Sequence, residues 1–210
     1  MKKNILIFGS GNQARVVSDI IKKKYRILGY FTTIKTNQKK LHSKNIYFLK
    51  KSKFIELTKN KKCLAIIAIG DNKIRKKIFN QVKNLKLKIE WASIISKEAI
   101  VSDDVKIGKG SLIMPGCIIN NGSTIRNHCI INTGSIIEHD NYFEDFSSCG
   151  PGVVTGGNVK VKEKSYIGIG SVVKEKINIY ENVIIGGNSF VNKNCKKNSL
   201  YYGNPIKLVS

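Results

Sequence analysis

The sequence is short of arginine and, in its first half, of acidic side chains. Only four of its 37 basic residues are arginine, and residues 1–91 carry 24 lysines and arginines against four aspartates and glutamates. Proteins that read base sequence depend on the forked guanidinium, so this composition disfavours sequence-specific recognition of nucleic acid. A strongly positive domain does attract anionic ligands, such as a nucleoside diphosphate. RNA bound without sequence specificity remains the alternative.

No run of apolar residues reaches the 18 or more that suggest a transmembrane helix. The basic, then apolar N-terminus only faintly resembles a signal peptide, because Gly9 and the polar residues after it end the apolar stretch. We therefore expect a cytoplasmic protein with no membrane span. The five cysteines show no metal-type spacing such as Cys-x-x-Cys, which predicts small, reduced core residues and no bound metal.

What the sequence does contain is a six-residue repeat that runs from Ile95 to Val191. In steps of six from Ile95, every position except Thr155 is apolar, and the fifth residue of each repeat is small or valine except at Asn141 and Ile177. A period of six fits neither a helix nor a free strand pair over this length. It is typical of a β-helix, whose short strands turn at fixed corners. With three repeats to a coil, the segment predicts a prism of between five and six coils.

The first ninety residues alternate between strand and helix patterns. Strands are predicted over residues 4–8, 26–31, 46–49, 64–69 and 87–92, and helices near residues 14–21, 53–59 and 73–84. This βαβ alternation indicates a small, doubly wound, Rossmann-like domain. We place the boundary after residue 92, with an α/β domain over residues 1–92 and a β-helix with a short C-terminal tail over residues 93–210.

A glycine-rich turn follows the first predicted strand and opens the first predicted helix. The segment GSGNQA at residues 9–14 matches G-x-G-x-x-A, in which glycines let the backbone approach a phosphate and helix N–H groups attract it. A nicotinamide cofactor would also need an acidic residue after the second strand, where Thr32 and Thr33 stand. We therefore predict phosphate binding without NAD; a tight turn without a ligand is the alternative. The segment GDN at residues 70–72 follows another strand, and either binds ligand or caps a helix.

One of the three histidines stands in a setting suited to catalysis. His139 lies between Glu138 and Asp140, and a neighbouring carboxylate can orient an imidazole and stabilise its protonated form. Residues 18 apart stack on successive coils, so Gly157 is expected one coil above His139. A base beside a backbone N–H suits acyl transfer through an oxyanion. A solvated surface histidine is the alternative, whereas zinc catalysis fails because only His139 and an outward-pointing His128 are expected on the prism.

These features resemble a known family over nearly the whole chain. It comprises the bacterial sugar acyltransferases with hexapeptide repeats, including the N-acetyltransferase of bacillosamine synthesis and the sialic acid O-acetyltransferases. The resemblance implies a left-handed β-helix, a homotrimer and active sites between neighbouring prisms. The matching pieces are Gly9-Ser10-Gly11, residues 68–72 with Arg75, Asn132-Thr133, residues 137–140, Gly156-Gly157-Asn158, Ile185-Gly186-Gly187 and Gly203-Asn204-Pro205.

The resemblance further implies an acetyl-CoA-dependent N-acetyltransferase that acts on the amine of a nucleotide-linked amino sugar, of the 4-amino-4,6-dideoxy type. His139 would be the general base, Asp140 would hold its ring, and the Gly157 N–H would support the oxyanion. Acetyl-CoA would lie along the prism at Ser148, Ile169 and Gly187. The nucleotide sugar would contact the N-terminal domain at Gly9, Ser10, Gly11, Asn12, Gln13, Thr32, Thr33, Gly70 and Asn72. The alternative is O-acetylation of a sugar of the sialic acid type. The residues do not distinguish a UDP-linked sugar from a dTDP-linked one, or an acetyl group from other acyl groups.

Overall fold

The computed structural model describes residues 2–34, 37–59 and 61–210. The chain separates into two compact units, Met1–Ala92 and Ser93–Ser210. Each unit has its own buried core, and the six-residue repeat lies wholly within the second unit. The two units are therefore described in turn.

The N-terminal unit contains a six-stranded sheet in the order β3-β4-β2-β1-β5-β6. Its neighbouring strands are parallel except in the short hairpin formed by β3 and β4. The hairpin strand β3 is only two residues long, and the sequence pattern does not predict it. The elements are β1 (Lys3–Phe8), α1 (Asn12–Ile21), β2 (Tyr25–Thr32), β3 (Lys40–Leu41), β4 (Lys44–Phe48), α2 (Lys51–Thr58), β5 (Cys63–Ile67), α3 (Asn72–Asn84) and β6 (Ile89–Trp91).

The core of this unit forms because its two central strands are apolar on both faces. Ile5, Leu6 and Ile7 of β1 are fully buried, and aromatic rings from β1 and β2 stack beside them, with the Phe8 and Phe31 ring centroids 5.6 Å apart. Each such side chain stabilises the fold by about 1.5–3 kcal/mol relative to an exposed one. The chain order reverses between β1 and β5, and open α/β sheets bind ligands at the carboxyl ends of strands at such a point.

The second unit is a three-faced parallel β-helix built from two-residue strands. Consecutive strands fall on successive faces, so that residues 18 apart pair within a face. The first face contains β7 (Ile94–Ile95), β10 (Leu112–Ile113), β13 (Ile130–Ile131), β16 (Ser148–Cys149), β19 (Tyr166–Ile167) and β22 (Ile184–Ile185). The second contains β8 (Ile100–Val101), β11 (Ile118–Ile119), β14 (Ile136–Ile137), β17 (Val154–Thr155), β20 (Val172–Val173) and β23 (Phe190–Val191). The third contains β9 (Lys106–Ile107), β12 (Thr124–Ile125), β15 (Tyr142–Phe143), β18 (Lys160–Val161) and β21 (Asn178–Ile179).

The C-terminal segment extends the first face rather than leaving it as a loose tail. Strand β24 (Leu200–Tyr202) pairs in parallel with β22, and β25 (Lys207–Leu208) folds back antiparallel onto β24. The added strands are possible because an open sheet edge offers unpaired backbone groups to any segment that follows it.

The interior of the prism follows the six-residue pattern. From Ile113 to Val191 the apolar position is buried in every repeat, and the small fifth residues, such as Ser123 and Cys129, are buried beside it. Thr155 is also fully buried, and its hydroxyl oxygen accepts a hydrogen bond from the Glu138 N–H at 3.3 Å. Thr155, the one polar residue at the apolar position of the repeat, is therefore compatible with the core, because its hydroxyl oxygen has a hydrogen-bond partner.

From the third repeat to the sixteenth, the fourth residue forms a left-handed corner. From Gly110 to Asn188 every such residue has a positive φ, a conformation that glycine, asparagine and aspartate adopt most readily. His128 occupies one of these corners, yet it is 3 % exposed and stacks on Phe146 with ring centroids 5.0 Å apart. The expectation that His128 points outward is therefore wrong, because the ring of the next coil covers it.

Candidate active site

A cleft of about 520 Å³ lies at the carboxyl ends of β1, β2 and β5 in the N-terminal unit. Of the nine residues predicted to contact a nucleotide sugar, all but Asn72 line it. The lining members of that set are Gly9, Ser10, Gly11, Asn12, Gln13, Thr32, Thr33 and Gly70. The glycine-rich turn and the segment after β5, which lie some sixty residues apart in sequence, thus line one cavity.

The glycines of this cleft have different physical roles. Gly9 has a φ of +121°, and a Cβ placed on it would lie 2.6 Å from the carbonyl oxygen of Ala68. Only glycine fits there, because the conformation is open to it alone and the adjacent strand leaves no space. A Cβ on Gly11 or Gly70 would meet no atom within 4 Å. At these two positions the missing side chain leaves the backbone open to the cleft.

The donors that the cleft offers to an anion are backbone and amide N–H groups. The N-cap residue of α1 is Gly11, so no side chain caps this helix. The first turn of α1 also contains no acidic residue. The Gln13 Nε2 atom is buried and has no acceptor among the described residues. None of the described residues that line the cleft carries a charge. Uncapped N–H groups at a helix start attract phosphate, and the Gln13 amide offers a further donor.

Asn72 supports the cleft from behind rather than lining it. It is 6 % exposed, and its Oδ1 accepts a hydrogen bond from Arg75 Nη2 at 2.6 Å. Arg75 is fully buried and its Nη1 donates to the carbonyl oxygens of Ile69 and Gly70, each at 2.9 Å. The sequence allows residues 70–72 either to bind ligand or to cap a helix. Asp71 caps α3, because its Oδ1 accepts a hydrogen bond from the Ile74 N–H at 2.7 Å. Arg75 therefore holds the Gly70 turn in place.

In the second unit, His139 and Asp140 form a hydrogen-bonded pair at a corner of the prism. His139 Nδ1 lies 2.9 Å from Asp140 Oδ2, and both side chains are about half exposed. Asp140 reaches this position because it is the left-handed corner residue, with a φ of 58°. A carboxylate can only accept, so the neutral ring carries its proton on Nδ1 and presents the lone pair of Nε2.

Gly157 lies directly over the His139 ring, as the 18-residue spacing predicts. A Cβ on Gly157 would lie 2.5 Å from the ring atoms Cε1 and Nε2, so any side chain there would displace the imidazole. No described residue accepts a hydrogen bond from the Gly157 N–H. The corner therefore combines a base, a carboxylate that orients it and a free backbone donor, which are the groups that acyl transfer requires.

A second glycine at this corner is not singled out by the sequence motif. A Cβ on Gly122 would overlap Asp140 Oδ1, so Gly122 provides the space for the carboxylate just as Gly157 provides it for the ring. Gly122 lies 18 residues before Asp140, and the stacking rule that relates Gly157 to His139 could have found it.

The residues predicted to bind acetyl-CoA are not brought to His139 within one chain. Ile169 is 57 % exposed, and Gly187 stacks over it, where a Cβ would lie 3.0 Å from Ile169 Cγ2. Both lie at the corner where the chain passes from the first face to the second, whereas His139 lies where it passes from the second to the third. Ser148 is 2 % exposed within β16, so it is not available on the surface beside them.

The second face, which separates these two corners, is apolar on its outside. Its outward positions are Ile100, Ile118, Ile136, Val154, Val172 and Phe190, and Ile100 is 67 % exposed. The outward positions of the third face are polar or charged apart from one tyrosine, namely Lys106, Thr124, Tyr142, Lys160 and Asn178. A continuous apolar stripe of this kind marks an interaction surface.

Two further findings concern the described parts of the chain. No helix within residues 2–34, 37–59 and 61–210 is long and apolar enough to cross a membrane. In the same residues, no three histidine, cysteine, aspartate or glutamate side chains gather as ligands for a metal ion.

Comparison with known proteins locates two domain types in the sequence. Residues 4–82 match the PglD N-terminal domain, and residues 98–139 match the bacterial transferase hexapeptide, a set of six repeats. GDP-perosamine N-acetyltransferase of Escherichia coli O157:H7 is 28 % identical over 111 residues, which are 53 % of this chain and 49 % of that protein. The chain thus spans about half the length of this curated relative.

Solved structures extend the similarity to the full length. A mutant of GDP-perosamine N-acetyl transferase from Caulobacter crescentus, in complex with CoA and GDP-perosamine, superposes with a TM-score of 0.89 at 24 % identity, covering 99 % of this chain and 97 % of that one. The acetyltransferase domain of PglB from Neisseria gonorrhoeae, in complex with acetyl coenzyme A, gives 0.88 at 22 % identity and covers all of both chains. The predicted fold, a Rossmann-like domain followed by a left-handed parallel β-helix, is confirmed. The matches to the PglD N-terminal domain and to the bacterial transferase hexapeptide, with the similar acetyltransferase, confirm the resemblance of this chain to the bacterial hexapeptide-repeat sugar acyltransferases.

Proposed function

We propose that the chain transfers an acetyl group from acetyl-CoA to the amine of a nucleotide-linked amino sugar. The observation that carries the proposal is the corner at which the His139–Asp140 pair lies beneath the free N–H of Gly157. Two similar proteins support the choice of substrates, since one was solved with CoA and GDP-perosamine and another with acetyl coenzyme A. For the sugar we propose the 4-amino-4,6-dideoxy type.

The chemistry assigns one task to each group at the corner. The sugar amine attacks the thioester carbonyl, and His139 Nε2 accepts the proton that the amine loses. Asp140 keeps the ring in the required tautomer and stabilises its protonated form. The Gly157 N–H stabilises the oxyanion, which collapses to the amide and expels the CoA thiolate. Protonated His139 then gives the proton that it took from the amine to the thiolate, which leaves CoA as the free thiol and His139 as a base again. No metal is needed in this scheme.

The N-terminal cleft would hold the nucleotide. Its uncapped helix start and the buried Gln13 amide suit a diphosphate, while its apolar lining residues, among them Phe31, Leu49 and Ile74, suit the flat face of a base. Thr32 and Thr33 would contact the ribose or base. Because no described lining residue is charged, we expect recognition to depend on N–H donors rather than on the surplus lysines.

We also propose that three copies of the chain assemble around the apolar second face. One edge of this face carries His139, and the opposite edge carries Ile169 and Gly187. A single prism cannot place an acetyl-CoA bound at one edge beside a base at the other. Burial of the face against a second copy would cover the apolar stripe and bring the two half-sites together, which a closed homotrimer does three times.

Val154→Lys tests this assembly, because Val154 lies at the middle of the apolar stripe and points outward. We expect the variant to shift from trimer to monomer in light-scattering measurements and to lose nearly all activity, since each site would be split. Thr124→Lys, the same change on the polar third face, should leave both mass and activity unchanged. A monomeric wild-type protein with full activity would contradict the proposal.

The reaction itself can be tested by the release of free CoA thiol. The full chain would be mixed with acetyl-CoA and GDP-, UDP- or dTDP-linked 4-amino-4,6-dideoxy sugars, and the acetylated sugar identified by mass spectrometry. A thiol reagent suits this protein because all five cysteines are buried. Burial raises the pKa of Cys63 and Cys117 to about 11 and that of Cys195 to about 12, which keeps these thiols neutral and unreactive.

The outcomes of the assay distinguish N-acetylation, O-acetylation and RNA binding. Transfer to an amino sugar, with no product on the matching hydroxyl sugar, supports N-acetylation. Transfer to sialic acid instead would favour the O-acetyltransferase. Salt-sensitive RNA binding with indifference to acetyl-CoA would overturn the enzymatic reading altogether. The cytoplasmic location stays a prediction from the sequence.

A further inference from the structure

The fifth residue of each repeat forms a regular internal ladder in the prism. In many repeats a serine hydroxyl or cysteine thiol donates to the carbonyl oxygen 15 residues later, which lies one coil above. Ser123, for example, donates to the Glu138 carbonyl at 2.9 Å, and Ser111 donates to that of Arg126 at 2.6 Å. The ladder therefore joins successive coils just after each strand.

Asn141 replaces a small residue in this ladder and makes more bonds than the small residues do. It is 1 % exposed, and its Nδ2 donates to the carbonyl oxygens of Glu138 at 2.6 Å, Gly156 at 2.9 Å and His139 at 3.3 Å. Its own N–H donates to Ser123 Oγ at 3.1 Å. One buried amide group thus joins the backbone around His139 to the backbone just before Gly157.

The bond to Gly156 has a direct geometric consequence. In a planar trans peptide the C=O and the following N–H point in opposite directions. Because the buried Asn141 amide holds the Gly156 oxygen, the Gly157 N–H must point away from the prism interior. This is the N–H for which no described residue is an acceptor. The Asn141 side chain therefore helps to fix the orientation of the proposed oxyanion donor, together with the backbone bonds from the Gly156 N–H to Val173 and from the Asn158 N–H to His139.

Asn141 is also more polar than stability alone would require. Its Oδ1 is buried and has no partner among the described residues, and a buried oxygen without a hydrogen bond destabilises the fold. A serine would make the usual ladder bond without introducing this oxygen. The cost of the longer amide indicates a role other than stabilising the core.

We propose that Asn141 is a positioning residue that aims the Gly157 N–H at the reacting carbonyl and holds the His139 backbone at a fixed place below it. The proposal rests on the acetyltransferase function proposed above. Asn141 touches neither substrate, so its effect is transmitted through the two backbone segments that it joins. Its loss should slow the chemical step while leaving the binding of both substrates intact.

The test compares Asn141→Ala and Asn141→Ser with Ser111→Ala, which removes a ladder bond at a different corner of the prism. We expect Asn141→Ala to lower kcat by at least about tenfold, a fraction of the 10²–10³ that an oxyanion donor supplies, with both KM values within about twofold of wild type. Asn141→Ser should recover much of the rate, because a serine can reach the Gly156 carbonyl. Ser111→Ala should lose thermal stability without losing kcat.

Two results would overturn the positioning role. One is a full kcat in Asn141→Ala with an active wild type, and the other is a loss of kcat in Ser111→Ala in proportion to its loss of stability. A crystal structure of Asn141→Ala adds a readout that needs no activity: the Gly156–Gly157 peptide should be rotated or poorly ordered, and an unchanged peptide would also contradict the role. A wild type that acetylates no amino sugar would instead count against the proposed function.

Discussion

His139→Ala should lower kcat by about 10²- to 10⁴-fold while the protein stays folded and assembled. The expected loss is the usual contribution of a positioned general base. The fold should persist because the ring is half exposed and its only described side-chain hydrogen bond is to Asp140. Steady-state kinetics with thiol release and light scattering on the same sample would measure the two effects separately.

Three controls sharpen this prediction. His42→Ala changes a histidine outside the prism and should leave kcat unaltered. Asp140→Asn should cause a smaller loss than His139→Ala, because the base remains but its proton is no longer held by a carboxylate. Added imidazole should restore part of the rate to His139→Ala, since the space under Gly157 is left open. Near-normal turnover in His139→Ala would remove His139 from the mechanism.

Gly9→Ala should destabilise the N-terminal unit by about 3 kcal/mol, whereas Gly11→Ala should leave its stability within about 1 kcal/mol. At Gly9 the new methyl group would lie 2.6 Å from the Ala68 carbonyl oxygen in a backbone conformation closed to alanine. At Gly11 it would meet nothing within 4 Å, and the cost is only that of a poorer residue before α1. The single tryptophan, Trp91, packs 5.7 Å from Phe8, so its fluorescence reports urea unfolding of this unit.

The same pair of variants tests the nucleotide cleft. Gly11→Ala should fold normally and yet bind the nucleotide sugar at least about tenfold more weakly, because its methyl group occupies the space through which a phosphate reaches the backbone N–H groups. Calorimetric titration of wild type and Gly11→Ala with the same nucleotide measures this difference. Equal affinity in the two proteins would show that the diphosphate does not approach this turn.

The repeat made the β-helix and the stacking of its main catalytic candidate predictable. Because residues 18 apart occupy equivalent places on successive coils, the placement of Gly157 over His139 follows from numbering alone. The alternation of apolar strands and amphipathic helices similarly predicts the parallel sheet, and the turn at residues 9–14 falls at its ligand-binding edge. The sequence does not predict short elements such as β3 and β25, because two-residue strands outside the repeat carry no periodic signal.

Other parts of the site could not be derived this way, since they depend on contacts between distant side chains. The burial of Arg75 and its bonds to the Ile69 and Gly70 carbonyls arise only when α3 packs against the sheet. Ser148 is 2 % exposed within β16, and neither its residue type nor its place in the repeat predicts that burial. The repeat predicts that His128 points outward, yet the ring of Phe146 on the next coil covers it.

The order of residues along this chain is sufficient to define which side chains face the prism interior, which glycines stand at turns and which histidine has a carboxylate beside it. These are local properties, set by a backbone period and by nearest neighbours. Folding in three dimensions determines where the freed N–H of Gly157 points and which face stays apolar and exposed. Those features depend on the hydrogen bonds of the buried Asn141 amide and on how successive coils close. The repeat marks Asn141 as an exception at the fifth position, but it does not show which carbonyl oxygens the amide contacts.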